Sequence, residues 1–284
     1  MIKIITDSST LFDRKQSEQL GIGLCPLHIL IDGQGYEDIE ELSSSQLLTM
    51  IKEGKIPHTS QPSFGEKLEL YDLYAKDHEV IDIAMAKGLS GTYDSAVMAK
   101  NSSKYPENIN VVNTKTLCGP HQRLVKEALK LSNQGASKET ILTMLNASIE
   151  TESSFLIPTD FSFLERGGRV SQFQANIGSL LKLKVVMKKS DDGQCIEKLT
   201  VARTTTKLMQ AIKTELDKKN VDASYEFYIS HADNLEIANK LRNEITKYYE
   251  NAHVEILALS PAFITQGGPG CVALQTIKII SNND

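Results

Sequence analysis

The sequence predicts an α/β fold in two domains, a parallel-sheet, three-layer N-terminal domain and a mixed-sheet α/β C-terminal domain. Three observations predict it. Short β-branched runs alternate with helical patterns through the first half, the signature of a parallel sheet covered by helices. The chain has 284 residues, long for one domain and comfortable for two. The rhythm also changes near residue 155, which sets the expected domains at 1–155 and 156–284.

The elements follow in order. Residues 2–6, "IKIIT", read as a buried strand stopped by the turn "DSST". Similar runs recur at 22–31, "IGLCPLHILI", at 80–85 and at 109–112, with helical patterns at 43–53, 65–76, 92–101 and 120–133. Ser63 stands three residues before Glu66, a helix-starting spacing. After a helix at 138–150 the second half offers paired strands at 182–189 and 194–201 around "SDDG", which has hairpin chemistry. A helix at 204–218, a strand at 225–230, a helix at 234–249 and a strand at 253–259 follow. The run 264–274, "ITQGGPGCVAL", would read as one more buried strand, but three glycines and a proline break it beside Gln266.

Composition narrows the function. Hydrophobic residues are 40% and charged residues 24%, an ordinary globular balance. Residues 1–150 carry 15 basic and 20 acidic side chains, and the remainder 16 of each, so no basic surplus invites nucleic acid. The acidic stretch 37–41, "EDIEE", reads as a solvated loop. Four dispersed cysteines, Cys25, Cys118, Cys195 and Cys271, read as buried reduced thiols. No membrane-spanning run and no signal-peptide core appear, so a cytoplasmic protein is expected.

Ligands of open α/β sheets gather at the carboxyl ends of the strands. There the sequence places Asp7-Ser8-Ser9-Thr10, Thr59-Ser60-Gln61-Pro62-Ser63 and Gly88-Leu89-Ser90-Gly91-Thr92. Such loops present N–H and O–H donors suited to an oxyanion, although each alone is equally an ordinary cap or turn. Catalytic templates fit poorly. "GLSGT" lacks the closing glycine of a nucleophile elbow, leaving Ser90, Asp160 and His231 as a hydrolase alternative without an oxyanion loop. Ser179 and Lys182 form an isolated SxxK pattern. No phosphate-loop glycine motif and no paired histidines support a nucleotide or metal site. "LERGGRVSQ", 164–172, combines a tight glycine turn with Arg166 and Arg169, or is a helix end with solvated arginines. Beyond it Phe173, Ile177, Leu180, Leu181, Leu183 and Val185 could wall an apolar slot or pack a core.

Together "TDSST" at 6–10, "TSQPS" at 59–63, "GLSGTYDSA" at 88–96, "RGGRVS" at 166–171, "ARTTTK" at 202–207 and "GGPG" at 267–270 resemble the DegV family of bacterial fatty-acid-binding proteins over the whole chain. The resemblance implies a long-chain fatty acid held between two domains. Thr59, Ser60, Ser90, Gly91, Arg169, Gln266 and Gly267 would surround the carboxylate. The acyl chain would run along Phe161, Phe163, Phe173, Ile177, Leu180, Leu181 and Leu183. It also implies a non-catalytic carrier, with no metal or cofactor, that hands its carboxylate to a separate ATP-dependent fatty acid kinase subunit for phospholipid synthesis. A serine-dependent acyl hydrolase or transferase, or a storage or sensor protein, are the alternatives. The chain departs from the family pattern at Gln266, where histidine is usual, at Asn113-Thr114, usually Asp-Ser, at Thr205, usually arginine, and near Val185, usually proline. Gly267, Gly268 and Gly270 would then let the backbone approach the ligand closely, with Pro269 fixing the turn.

Overall fold

The computed structural model describes residues 1–170, 184–190 and 193–280. They divide into two compact units. The first contains Met1–Glu150, joined by Ser260–Ala262 and by Ile279 and Ile280; the second contains Thr151–Leu259 and Phe263–Lys278. The main division thus falls just ahead of residue 155. The return of three residues to the first unit has no mark in the sequence.

In the first unit β1 (Lys3–Asp7) ends in a 3₁₀ turn, and α1 (Arg14–Leu20) starts on a reciprocal cap between Asp13 and Gln16. β2 (Gly23–Cys25) returns parallel to β1. The expected strand 22–31 does not continue. Pro26 has no N–H for a ladder, and the run divides there. β3 (His28–Ile31) enters a separate antiparallel sheet with β4 (Gln34–Glu37) and, after α2 (Ser44–Lys52), with β5 (His58–Ser60). α3 (Phe64–Ala75), β6 (Val80–Ala84), α4 (Thr92–Ser102), β7 (Ile109–Asn113), α5 (Cys118–Asn133) and α6 (Lys138–Thr151) complete the unit.

The main sheet is parallel, in the order β2-β1-β6-β7. Alternation along β1 sends Ile5 to one face and Thr6 to the other. Ile5 joins Cys25, Tyr71, Ala75, Val80, Ala99 and Ile109 under α3 and α4, while Thr6 meets His121 of α5. Helices on both faces make the three layers. Within the α3 layer Lys67 donates to Asp82 at 2.6 Å and Tyr71 donates to the same carboxylate oxygen, all three side chains being buried.

In the second unit β8 (Ser153–Ile157), α7 (Phe161–Gly167), β9 (Lys184–Lys189), β10 (Ile196–Ala202), α8 (Thr205–Lys218), β11 (Glu226–His231), α9 (Leu235–Tyr248), β12 (His253–Ala258), α10 (Pro261–Gly267) and β13 (Val272–Ile277) follow in turn. The sheet order is β10-β9-β8-β13-β11-β12, mixed because only β11 and β12 run parallel. Phe155, Ile157, Phe227, Ile229, Val272 and Leu274 share one face with Leu208, Ile212 and Leu241 of α8 and α9. On the other face Val185 and Met187 pack with Leu164 of α7.

Two expectations are corrected here. The glycine-broken run is not an interrupted strand: its first part lies in α10, and the strand starts only at Val272. Cys25, Cys118 and Cys271 are buried, but Cys195 is half-buried, because it sits at a hairpin rather than in a core run.

Candidate functional site

The first unit supplies three loops, and they differ in how much donor capacity remains. "TDSST" is consumed internally. The buried Asp7 carboxylate accepts from the Ser9 N–H at 2.9 Å and the Met85 N–H at 3.0 Å. The Ser8 hydroxyl accepts from the Leu27 N–H at 3.0 Å and donates to Asp38 at 2.8 Å. The Thr10 hydroxyl donates to the Asp7 carbonyl at 3.0 Å. The Ser9 hydroxyl meets His121 Nδ1 at 2.6 Å, and His121 Nε2 lies 2.8 Å from the Ile83 carbonyl. A carbonyl only accepts, so the histidine proton belongs on Nε2 and Ser9 donates to Nδ1. The expectation of a ligand-facing loop fails for this segment. All four residues, Asp7 to Thr10, are buried, and their polar groups tie β1 to its neighbours.

The other two loops remain at the surface. Thr59 and Ser60 lie in β5 rather than in a loop, opposite Ile29 and His28 respectively. Strand alternation turns Thr59 toward the Ile29 face, half-buried, and leaves Ser60 exposed on the other. Ser90 is half-buried. Its hydroxyl accepts from the Thr92 N–H at 3.2 Å and lies 2.8 Å from the Thr92 hydroxyl. Gly91 is the N-cap of α4 and carries no side-chain cap. Where a Cβ on Gly91 would sit lies the Gln61 carboxamide oxygen, so the "TSQPS" and "LSGTY" segments touch. Gln61 was not singled out from sequence, although its motif was. Asn113 accepts from the N–H groups of Lys87 at 3.1 Å and Lys115 at 3.0 Å, which fixes both flanking turns. An acceptor is all this position needs, so amide or carboxylate serves equally.

Asp38 is the clearest omission of the sequence reading. It belongs to the acidic stretch read as solvated, yet it is 1% exposed. Its second oxygen accepts from the Ala262 N–H at 3.0 Å. Burial pushes its carboxyl up to about 6, against the Ala262 and Ser8 hydrogen bonds, which favour the charged form. Its neighbour Glu37 behaves differently, pairing with Arg14 at 2.8 Å in a partly exposed bridge.

In the second unit Arg169, Gln266, Phe163 and the glycines form one packed knot. α7 ends with Gly168 in the left-handed region, φ 68°, followed by Arg169, which donates to the Gly167 carbonyl. This is the helix-end form of "RGGR", one of its two expected readings. Arg166 stacks on the Phe163 ring, 4.4 Å from its centre, and donates to the Ser162 hydroxyl at 3.1 Å. The Gln266 carboxamide fills the place of a Cβ on Gly167. A Cβ on Gly267 would meet Cys271 Sγ at 2.6 Å, and one on Gly268 would meet the Phe163 ring at 2.8 Å. One on Gly270 would meet Thr159 at 3.2 Å, and the Thr159 hydroxyl donates to the Pro269 carbonyl. Gly268 and Gly270 are therefore required by packing of "GGPG" on Phe163 and Thr159, and Gly267 by its contact with Cys271. The Cβ side of each of these glycines is filled by protein.

Among the acyl-chain residues, Phe161 packs against the cluster of Leu164, Val185 and Met187, and Phe163 is buried against Gly268. Phe173, Ile177, Leu180, Leu181 and Leu183 lie outside the described residues, as do Ser179 and Lys182. The hydrolase triad is opposed by hydrogen bonding. His231 Nδ1 accepts from the Asn234 N–H at 3.1 Å, so it offers no proton to an orienting carboxylate. Asp160 is occupied as the N-cap of α7. Among the described residues no three His, Cys, Asp or Glu side chains cluster as metal ligands, and no helix is long and apolar enough to cross a membrane.

The model of the DegV family ("Uncharacterised protein, DegV family") matches residues 1–278. The chain belongs to the DegV family. A DegV domain-containing protein of Halalkalibacterium halodurans is 32% identical, the alignment covering 96% of this chain and 97% of that one. Two solved DegV structures share the fold along essentially the whole chain. One, described for fatty acid binding by a DegV family protein of Thermus thermophilus, is 25% identical with a TM-score of 0.86, covering 98% of this chain and 99% of that one. The other, DegV of Bacillus subtilis, described as a fatty acid binding protein, is 28% identical with a TM-score of 0.82 and the same coverage.

Proposed function

We propose that this DegV protein binds a long-chain fatty acid and presents its carboxylate to a separate ATP-dependent fatty acid kinase subunit, catalysing no reaction alone. The observation that carries the binding is the full-length likeness to DegV proteins of Thermus thermophilus and Bacillus subtilis that are described as binding fatty acid. The chemistry of the residues supports it. Thr59, Ser60, Ser90 and Gly91 in the first unit, and Arg169, Gln266 and Gly267 in the second, are assigned to the head group. When Thr92 donates to Ser90, the Ser90 proton is left for a carboxylate. Gln266 offers an amide donor in the histidine's place, without its titration. Phe161 and Phe163, with Phe173, Ile177, Leu180, Leu181 and Leu183, are assigned to the tail.

Energetics divide the labour. A long acyl chain buried at ~0.8 kcal/mol per methylene gives on the order of 10 kcal/mol gross. Each neutral hydroxyl bond adds only about 1 kcal/mol, so the tail supplies affinity and the donors orient the head. Arg169 is the charged exception.

The test begins with organic extraction of the purified protein and mass spectrometry. Free fatty acid should be released, and its absence even after loading with lipid removes the proposal. Arg169→Ala should weaken binding by about 2 kcal/mol, roughly thirty-fold, by calorimetry. ATP-dependent acyl-phosphate formation with the organism's own kinase subunit tests the second half. A loaded protein that never supports it is a store or sensor. Ester turnover that Ser90→Ala abolishes would instead establish the hydrolase.

A further inference from the structure

The Ser260–Ala262 segment groups with the first unit although the residues on either side of it group with the second. It also opens α10, the helix that carries Gln266 and Gly267 in its last turn. The first N–H groups of a helix have no partner within it, and Pro261 removes one of them. The next, that of Ala262, is taken by Asp38 Oδ1 at 3.0 Å, from 224 residues away in sequence. The other oxygen, Oδ2, is held by the Ser8 hydroxyl at 2.8 Å, and Ser8 in turn accepts from the Leu27 N–H at 3.0 Å. Asp38 is therefore fixed from both sides in a buried position, where an unsatisfied group is expensive. Ala262 and Gln266 are four residues apart, one helical turn, so whatever fixes the start of α10 fixes the direction from which Gln266 leaves it.

We propose that Asp38 is a positioning residue for the ligand-binding end of α10: it anchors the Ala262 N–H and so sets the Gln266 carboxamide. The motif "TDSST" gains a purpose from this, because Ser8 orients the anchor. The effect on ligand rests on the fatty-acid reading above, while the anchoring of α10 does not.

Two measurements on the full-length protein decide the matter. Hydrogen exchange followed by mass spectrometry should show peptides spanning 262–267 exchanging about tenfold faster in Asp38→Ala. Asp38→Asn retains a carbonyl acceptor and should exchange like the wild type. Fatty-acid affinity, measured with oleate, should fall roughly tenfold in Asp38→Ala but less than twofold when the same change is made in a Gln266→Ala background. Equal losses in both backgrounds would make Asp38 a general structural residue and overturn the proposal. Unchanged exchange at 262–267 in Asp38→Ala would overturn it too, whether or not oleate binds. Oleate binding that fails in the wild type, with the exchange pattern as expected, would strike the fatty-acid reading and leave the anchor standing.

Discussion

A lysine and an aspartate share the core of the first unit, Lys67 Nζ lying 2.6 Å from Asp82 with neither side chain more than 2% exposed. Burial alone would lower the Lys67 pKa, but the Asp82 charge outweighs it and holds the ammonium above the ordinary lysine range. The nearby Cys25 thiol, by contrast, is pushed up to about 12 by burial. The second Asp82 oxygen has no hydrogen-bond partner, so this carboxylate depends on Lys67 and Tyr71. Lys67→Met should therefore destabilise the protein by about 3–5 kcal/mol in urea unfolding, since it strands a buried charge. Adding Asp82→Leu should recover a large part of that loss. A Lys67→Met protein as stable as the wild type would overturn this dependence of Asp82 on Lys67. None of this was visible in the sequence, where Lys67 sits in an ordinary helical pattern and Asp82 in an apolar strand run. Pairing across 15 residues of sequence is a tertiary fact. Asn113 shows the opposite case. It stood out as a departure from the family, and its structural duty is the one a carboxylate would also perform.

At the scale of elements, long periodic helices were legible and short or glycine-marked pieces were not. α8 and α9 bury Leu208, Met209, Ile212 and Leu216, and Ala238, Leu241 and Ile245, at the 3–4 residue spacing that their sequences display. α10 escaped because seven residues carry less than two full turns of pattern, and its glycines suggested a turn. Thr59 and Ser60 escaped in the same way, since β5 has only three residues and its partner β3 is set by Pro26. The candidate site was legible as motifs but not as contacts. The glycines of "GGPG" read as ligand access in the sequence, and their contacts add a packing role: Gly268 on Phe163 of α7 and Gly270 on Thr159 in the turn before it. That yields a prediction. Gly268 has φ 80°, and a Cβ there would lie 2.8 Å from the Phe163 ring. Gly268→Ala combines left-handed strain with overpacking and should cost about 3 kcal/mol, read from a thermal or urea transition. Gly35→Ala is the control, because nothing lies within 4 Å of a Cβ there. A similar small loss in both would show that α7 gives way without strain.

Across the whole molecule the buried titratable groups oppose one another in acid. Burial holds the His121 pKa below the ordinary imidazole value, against the pull of Asp7 and of the Ile83 carbonyl, and burial also lowers His231. Their folded states favour the neutral ring. The stability they contribute is complete above pH ~6.5 and is lost as the pH falls below it, because the unfolded chain then binds more protons. Asp38 has the reverse sign. Its folded carboxyl titrates at about 6 against a free value of 3.8, so the folded state takes up the proton first. Between pH 6 and 3.8 it adds stability as the pH falls, by at most about 3 kcal/mol. Asp7, a like charge, pushes in the same direction. The native protein should thus resist mild acid better than its histidines alone would allow. Asp38→Asn keeps the acceptor for Ala262 but removes this proton uptake. Measured by urea unfolding from pH 7 to pH 4, the stability of the variant relative to wild type should decline steadily, by up to about 3 kcal/mol. Parallel stability curves for the two proteins would show that Asp38 titrates as an ordinary exposed carboxylate, and a variant that gains on the wild type in acid would reverse the sign argued here.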